Sequence, residues 1–326
     1  MKLLGLAAAS LLALISAMPA TAGDLLRPAY PGAWQPEEDD PLRFEAGVRY
    51  WATWGGQDMG FGNMRLSSRD QTHVVEVHGR IDDLSTNSYV RAHAGLGIAT
   101  TGTYDFTPLR GTGLEIGDRS TIAHAGADFG WMPLGDPDAG FGIGPLVGYQ
   151  YWKDSPDLGR GNFVGGVNAD GTFTGGNSST HEVDIHALRL GITGRAELGN
   201  MFDISAEIAG VPYAHMTGIL GPHELSTRIG TTDIEKGSAT VLSGRGYGLM
   251  GEAMLGFHPT ENLILRFGGR AWYLEGQLDA NFNTFSATDP VGGATDHTTG
   301  EQGYVMASQW ASLFRYGALV ELTGRF

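Results

Sequence analysis

The sequence predicts an all-β fold, a transmembrane antiparallel up-and-down β-barrel of about 10 strands, with short periplasmic turns and long extracellular loops. Three observations carry that prediction. Ten segments alternate apolar and polar residues at period two, the signature of strands with two different faces. The connections between them alternate short and long without exception. Charged residues fall almost entirely on one parity of each segment. A soluble sandwich also alternates, but nothing about it demands that every second connection be short. A barrel in a bilayer does, because its turns crowd one side of the membrane and its loops the other.

Before the first strand, "MKLLGLAAASLLALISAMPATAG" starts with Lys2 and runs through an apolar stretch. It reaches the small residues Ala20-Thr21-Ala22. This reads as a secretory signal peptide over 1–22, too short in its apolar part for the ~20 residues that span a bilayer. Residues 23–40, rich in proline and acid, are expected to form a periplasmic tail, and 41–326 the barrel. No later run of 18 apolar residues occurs. The chain has no cysteine, which excludes thiolate metal sites and cysteine nucleophiles. With 21 Lys and Arg against 36 Asp and Glu it offers no basic face, and no nucleic-acid partner is expected. The 51 glycines have no G-X-Y period, so they argue for strands and loops and against a collagen-like chain.

The strands are expected near 42–54, 71–82, 88–100, 119–131, 139–152, 183–198, 201–213, 241–257, 262–276 and 304–326. The first places Leu42, Phe44, Ala46, Val48 and Tyr50 on one face and Arg43, Glu45 and Arg49 on the other. The sixth sets Leu188, Leu190 and Ile192 against Arg189, Thr193 and Arg195. The seventh sets Phe202, Ile204 and Ile208 against Asp203, Ser205 and Glu207. The ninth and tenth repeat the pattern, with Leu265, Phe267, Tyr316 and Val320 against Arg266, Arg270, Arg315 and Glu321. A closed sheet satisfies every backbone polar group inside the bilayer, so the apolar parity faces lipid. Short turns fall at 83–87, 133–138, 199–200 and 258–262. Long connections fall at about 55–70, 101–118, 153–182, 214–240 and 277–303. The chain ends in "YGALVELTGRF", with Phe326 on the lipid parity, and this ending resembles the assembly signal of bacterial outer-membrane barrels. The expected partners are therefore the outer-membrane assembly machinery, through Phe326, together with outer-membrane lipid and lipopolysaccharide. An extracellular ligand for the loops is a further expected partner.

The polar parity carries both signs, including Glu45, Arg49, Glu76, His78, His93, His124, Asp128, Arg189, Glu207, Glu252, Arg266, Arg270 and Glu321. Ten strands make an interior that side chains can largely fill, so these groups are expected to form an ion-pair and water network; a narrow pore is the alternative. No cofactor motif appears. "GRGNFVGG" (159–166) lacks the strand-to-helix setting that a phosphate loop needs, and "H-E-V-D-I-H" (181–186) puts His181 and His186 on opposite parities, so no metal is expected there.

Taken together, "AHAGADFGWMPLGDPDAGFGIGPLVGYQYW" (123–152) and "LRLGITGRAELGNMFDISAEIAG" (188–210) resemble strands four to seven of the omptin-like superfamily. That superfamily comprises ten-stranded outer-membrane barrels, among them proteases and an adhesin. The resemblance implies a bacterial outer-membrane location. In the proteases it implies an Asp-x-Asp pair after strand three and an Asp-x-His pair after strand seven. Here "TTGTYDFTPLRGTG" holds one acid, Asp105, and "VPYAHMTGILGPHELS" holds His215 with no acid two residues before it. The family's catalytic set is thus incomplete. What remains of an endopeptidase would be Asp105 and His215, sharing a water between two walls. The favoured expectation is a non-catalytic surface, envelope or adhesin-like barrel, with the endopeptidase and the small-solute pore as alternatives.

Overall fold

A computed structural model describes residues 41–62, 64–107, 114–136, 140–157, 181–199, 201–220, 226–229, 232–236, 239–288 and 301–326. The expected signal peptide and periplasmic tail, and the glycine-rich stretch 159–166, lie outside the described residues.

Ten strands form the barrel: β1 (Leu42–Phe61), β2 (Met64–Asp83), β3 (Ser88–Thr107), β4 (Leu114–Trp131), β5 (Phe141–Asp157), β6 (Glu182–Leu198), β7 (Phe202–Leu220), β8 (Thr240–Thr260), β9 (Leu263–Thr288) and β10 (Glu301–Arg325). Each pairs antiparallel with its neighbours in sequence, and β1 pairs with β10 from Glu45↔Arg325 to Met59↔Ala311, which closes the ring. Closure removes both edges, so no ladder group is left facing lipid. Three short strands decorate it. Leu134–Asp136 pairs with the start of β5, and Ser226–Ile229 with Thr232–Lys236 makes a ribbon that joins the far end of β9.

Among the described residues, the β2–β3 and β8–β9 turns are as tight as expected. In the β2–β3 turn the Asp83 carboxylate accepts hydrogen bonds from the backbone N–H groups of Ser85 and Thr86, at 2.9 and 3.3 Å, and from both hydroxyls. Asn87 then takes a left-handed φ of 55°, a conformation Asn tolerates. The β6–β7 turn uses Gly199 at φ 71°.

The extracellular ends depart from the sequence expectation. Four of the five expected long connections, at 55–70, 101–118, 214–240 and 277–303, are mostly strand. The 55–70 connection is a hairpin whose strands run to Phe61 and resume at Met64, and the 277–303 connection continues β9 to Thr288 and restarts β10 at Glu301. β7 also passes its expected end at residue 213. Pro212, which has no N–H to donate, sits in a bulge where the register slips between Leu188 and Leu190 on one side and Gly246 and Gly248 on the other. Beyond the bulge Ala214 and Met216 point inward, and the strand continues to Leu220.

The reason these extensions escape a lipid-facing pattern is that the polarity of the wall inverts along the barrel axis. In the lower part the outer face is apolar, as at Val77, Val90, Leu190, Ile208 and Phe267, and the lumen is charged. In the upper part the outer face is polar, as at Arg69, Thr101, Thr103, Arg245 and Gln277. There the lumen is mainly apolar, packed with Phe61, Leu66, Val74, Tyr104, Ile122, Ile185, Leu220, Leu242 and Leu278 around a few buried polar groups. Alternation resumes after the bulges in β3 and β7, and the chemistry of the two faces is exchanged. The aromatic residues Tyr50, Tyr149, Tyr213, Tyr247 and Tyr273 mark the changeover outside, where a girdle belongs.

Candidate functional site

The lower lumen is a continuous network of buried ion pairs. Arg49 donates to Glu76 at 2.7 Å and to Glu321 at 2.5 Å, tying β1 to β2 and β10. Arg270 of β9 reaches across to Glu76 at 2.8 Å and to Glu252 at 2.6 Å. Arg91 and Arg189 share Asp128 and Glu207, and Arg266 bonds Asp203, Glu321 and Glu45. These are residues of the expected inward parity. Arg91 and Arg189 hold a carboxylate from a wall other than their own, which is possible only because the barrel is narrow. A cavity of about 10 Å³ remains beside Arg91, His93, Gln150, Glu252, Arg270 and Trp272. It has room for no more than a single water.

Above this network lies an aromatic layer. Trp51, Trp152 and Trp272 pack with centroids 4.9–6.3 Å apart, and His124 lies against all three, stacked on Trp152 at 18°. Arg270 sits 5.1 Å from the Trp51 ring centre from below, and Arg315 sits 5.2 Å from that of Trp152. The described lumen is therefore sealed in three tiers: charges, indoles, then the aliphatic core.

A buried polar chain crosses the upper core. Tyr104 donates to His181 Nδ1 at 3.4 Å, and His181 Nε2–H donates to the Gln57 side-chain Oε1 at 3.2 Å. Arg315 clamps Asp70 through two bonds of 2.7 Å and approaches Asp154 at 3.5 Å. Burial lowers His181 to about 4, so its imidazole is neutral near pH 7, and burial raises the Tyr104 phenol. Burial also raises Asp154, against the opposing pull of Arg315. On the outer rim partial burial of Asp58 works against ionisation, but bonds from Arg69 and Ser67 keep its carboxyl below the usual range.

The structure does not bring Asp105 and His215 together. Asp105 lies on β3 opposite Ser67, one residue beyond the inward Tyr104, and so belongs to the outer parity. His215 is exposed on the outside of β7, between His186 and Arg245. Three strands separate β3 from β7 on one side of the ring and five on the other. Two residues on opposite walls, both directed outward, have no water in common. The acid–histidine assignment fails because the bulge at Pro212 and the register slip between His73 and Val74 set the parity above the membrane. The second histidine pattern behaves as expected. His181 is inside and His186 outside, where the phenol of Tyr149 meets His186 Nδ1 at 2.6 Å and Tyr151 donates to Asp184 at 2.5 Å. Lys153 donates to Glu182 at 2.6 Å.

Sequence reasoning missed the indole layer and the upper core. The signal was available: on β1 the inward parity changes from Glu45 and Arg49 to Trp51, Met59 and Phe61, and continuing the period past residue 54 reveals it.

No protein-family model matches the chain, and no curated protein matches it. Among solved structures it is similar to the outer membrane protease OmpT from Escherichia coli, with a TM-score of 0.57 and 10% identity over 88% of this chain and 98% of that one. It also matches the translocator domain of the autotransporter NalP from Neisseria meningitidis (TM-score 0.33, 15% identity, 89% of this chain and 90% of that one). A third match is the toluene transporter TodX of P. putida (TM-score 0.24, 10% identity, 89% and 91%). Together with the apolar belt around a charged lumen, the first of these shows the fold of an outer-membrane β-barrel.

Proposed function

We propose that this integral outer-membrane barrel is a non-catalytic scaffold that presents its extracellular loops and upper rim to the outside, in adhesion or ligand contact. The observation that carries the reading is the three-tiered seal of the lumen. A pore needs a water path, and buried Arg–carboxylate pairs, stacked indoles and an aliphatic core supply none. The outward, separated Asp105 and His215 favour neither hydrolysis nor substrate alignment. Function on such a chain falls to what reaches solvent. The outer rim over β5–β8, with Lys153, His186, His215 and Arg245 just above Tyr149, Leu188 and Tyr213, is suited to phosphorylated lipid headgroups such as those of lipopolysaccharide. Phe326 keeps its proposed role in assembly.

The test has three arms on purified barrel refolded in detergent with lipopolysaccharide. Planar-bilayer recordings are expected to show no channel steps. A peptide library is expected to remain uncut, and Asp105→Asn and His215→Ala to change nothing. Cells displaying a barrel with residues 158–180 replaced by a Gly-Ser linker are expected to lose attachment to immobilised matrix proteins that wild-type cells retain. Cleavage abolished by His215→Ala, or discrete conductance, overturns the proposal.

A further inference from the structure

The tetrapeptide Ala-His-Ala-Gly occurs twice, at 92–95 in β3 and at 123–126 in β4. The two copies pair antiparallel with reciprocal register: His93 stands opposite Gly126, and Gly95 opposite His124. Each imidazole is thus seated over the glycine of the other strand. A Cβ on Gly95 would lie 2.5 Å from His124 Nε2, and one on Gly126 would lie 2.6 Å from His93 Cε1. On the far side of Gly95, β2 places Glu76 in the same row. With no side chain between them, Glu76 and His124 meet across β3, Oε2 to Nε2, at 3.3 Å.

We infer that Glu76, His93 and His124 bind one divalent transition-metal ion, zinc by ligand chemistry, inside the barrel. All three residues are buried, and one donor atom from each lies within 4.8 Å of the others. Two imidazoles and one carboxylate are a common zinc set with a fourth position for water. Donors at about 2.0–2.2 Å from a tetrahedral ion stand roughly 3.3–3.6 Å apart, which is the Glu76–His124 separation. The second, independent observation is His124 itself. Its side chain is fully buried, and neither ring nitrogen has a hydrogen-bond partner. A buried imidazole that makes no aligned hydrogen bond, even with Glu76 Oε2 at 3.3 Å, costs about 1–3 kcal/mol unless another ligand meets it.

The surroundings resemble the outer shell of a metal site. Gln150 Oε1 lies 3.2 Å from His93 Nε2, orienting that ring and leaving Nδ1 available. Arg49 and Arg270 hold the two oxygens of Glu76 at 2.7 and 2.8 Å, which fixes the carboxylate but adds positive charge nearby. Those guanidiniums also bond Glu252 and Glu321, and Arg266 shares Glu321, so the shell around the three ligands mixes carboxylates and guanidiniums. The ion would tie β2, β3 and β4 together directly beneath the indole layer.

The experiment uses the full folded barrel, with folding checked by its heat-dependent gel mobility. Protein refolded with zinc and passed through metal-free buffer is assayed for metal content, and protein refolded with cobalt is examined for the visible absorption of a four-coordinate site. One ion per chain is expected, with the cobalt spectrum, and at least about a tenfold fall in retained metal for His124→Gln and His93→Gln. Wild-type barrel that retains almost no metal, or variants that retain as much as wild type, overturn the inference. If neither variant folds, the wild-type metal content and the count of imidazoles bound to cobalt, read by X-ray absorption, decide it alone.

Discussion

Two halves of one barrel wall obey opposite rules. Below the tyrosine girdle the apolar face looks out and the charged face in; above it the same strands put Phe61, Leu66 and Leu220 inside and Arg69, Thr103 and Gln277 outside. The same antiparallel ladder runs through both, interrupted by bulges in β3 and β7. The difference teaches that a β-strand only supplies two faces, and the solvent beyond each decides which residues occupy it. In the lower half the bilayer claims the apolar side and leaves charges to satisfy one another. In the upper half water claims the polar side, and the lumen becomes an ordinary protein core.

The sharpest way to break this comparison is to remove one inward charge from the lower half. Arg49 serves Glu76 and Glu321, both almost fully buried. Arg49→Leu leaves two carboxylates without their shared cation and is expected to cost about 3–5 kcal/mol, read from denaturant unfolding in lipid. Replacing the network by apolar residues of similar volume would be far milder, since a buried pair is weak evidence of net stability. If Arg49→Leu is neutral, the lower lumen is wetter than its buried charges suggest.

Next comes the outer face. Leu190 is 48% exposed and directed to lipid, so Leu190→Arg is expected to cost about 2–4 kcal/mol. Thr101→Arg, on the outer parity of β3 but above the changeover, is expected to cost no more than about 1 kcal/mol. Equal costs would mean that the apolar belt extends higher than the tyrosine girdle.

The same inversion explains what a sequence reading recovers. The ten strands, the closure and the tight turns are legible because lipid imposes one simple pattern over the lower half: Leu188, Leu190, Ile192 on one beat, Arg189 and Thr193 on the other. The upper strands look like loops in the sequence because their outward residues are Thr, Ser, Asp, Gln and Gly, a composition that loops share. Site assignment suffered more. Placing Asp105 and His215 face to face needed the parity on both sides of two bulges, and a bulge shifts every side chain after it to the other face. The period marks His93 and His124 as inward, but their proximity depends on the pairing register of β2, β3 and β4, which no single strand encodes.

The third prediction sharpens the upper half as a true protein core. His181 is depressed to about 4 by burial, against an ordinary 6.5. The unfolded chain therefore binds a proton that the folded barrel refuses between those values, and stability falls as pH drops from about 6.5 towards 4. The loss is on the order of 3 kcal/mol and is complete once pH lies below the folded value. Asp154, shifted up by burial, acts in the opposite sense near the acid end. The comparison with His181→Gln isolates the histidine: its unfolding midpoint should vary less between pH 7 and pH 4.5 than that of wild type. An unchanged pH dependence would show that water reaches His181 and that the upper lumen is not sealed.

The smallest effect belongs to a position outside both halves. Gly199 in the β6–β7 turn has φ of 71°, and a Cβ added there would meet nothing within 4 Å. Gly199→Ala therefore adds no clash and changes no burial, and only the cost of holding an L-residue in the left-handed region remains, about 1–2 kcal/mol. Gly140 has the same φ, but its Cβ would lie 2.6 Å from Glu197 Cβ, so Gly140→Ala adds steric conflict to the conformational cost. Measuring the two side by side in denaturant separates backbone strain from packing at the periplasmic mouth. If Gly199→Ala costs as much as Gly140→Ala, the turn is held by contacts beyond its own φ.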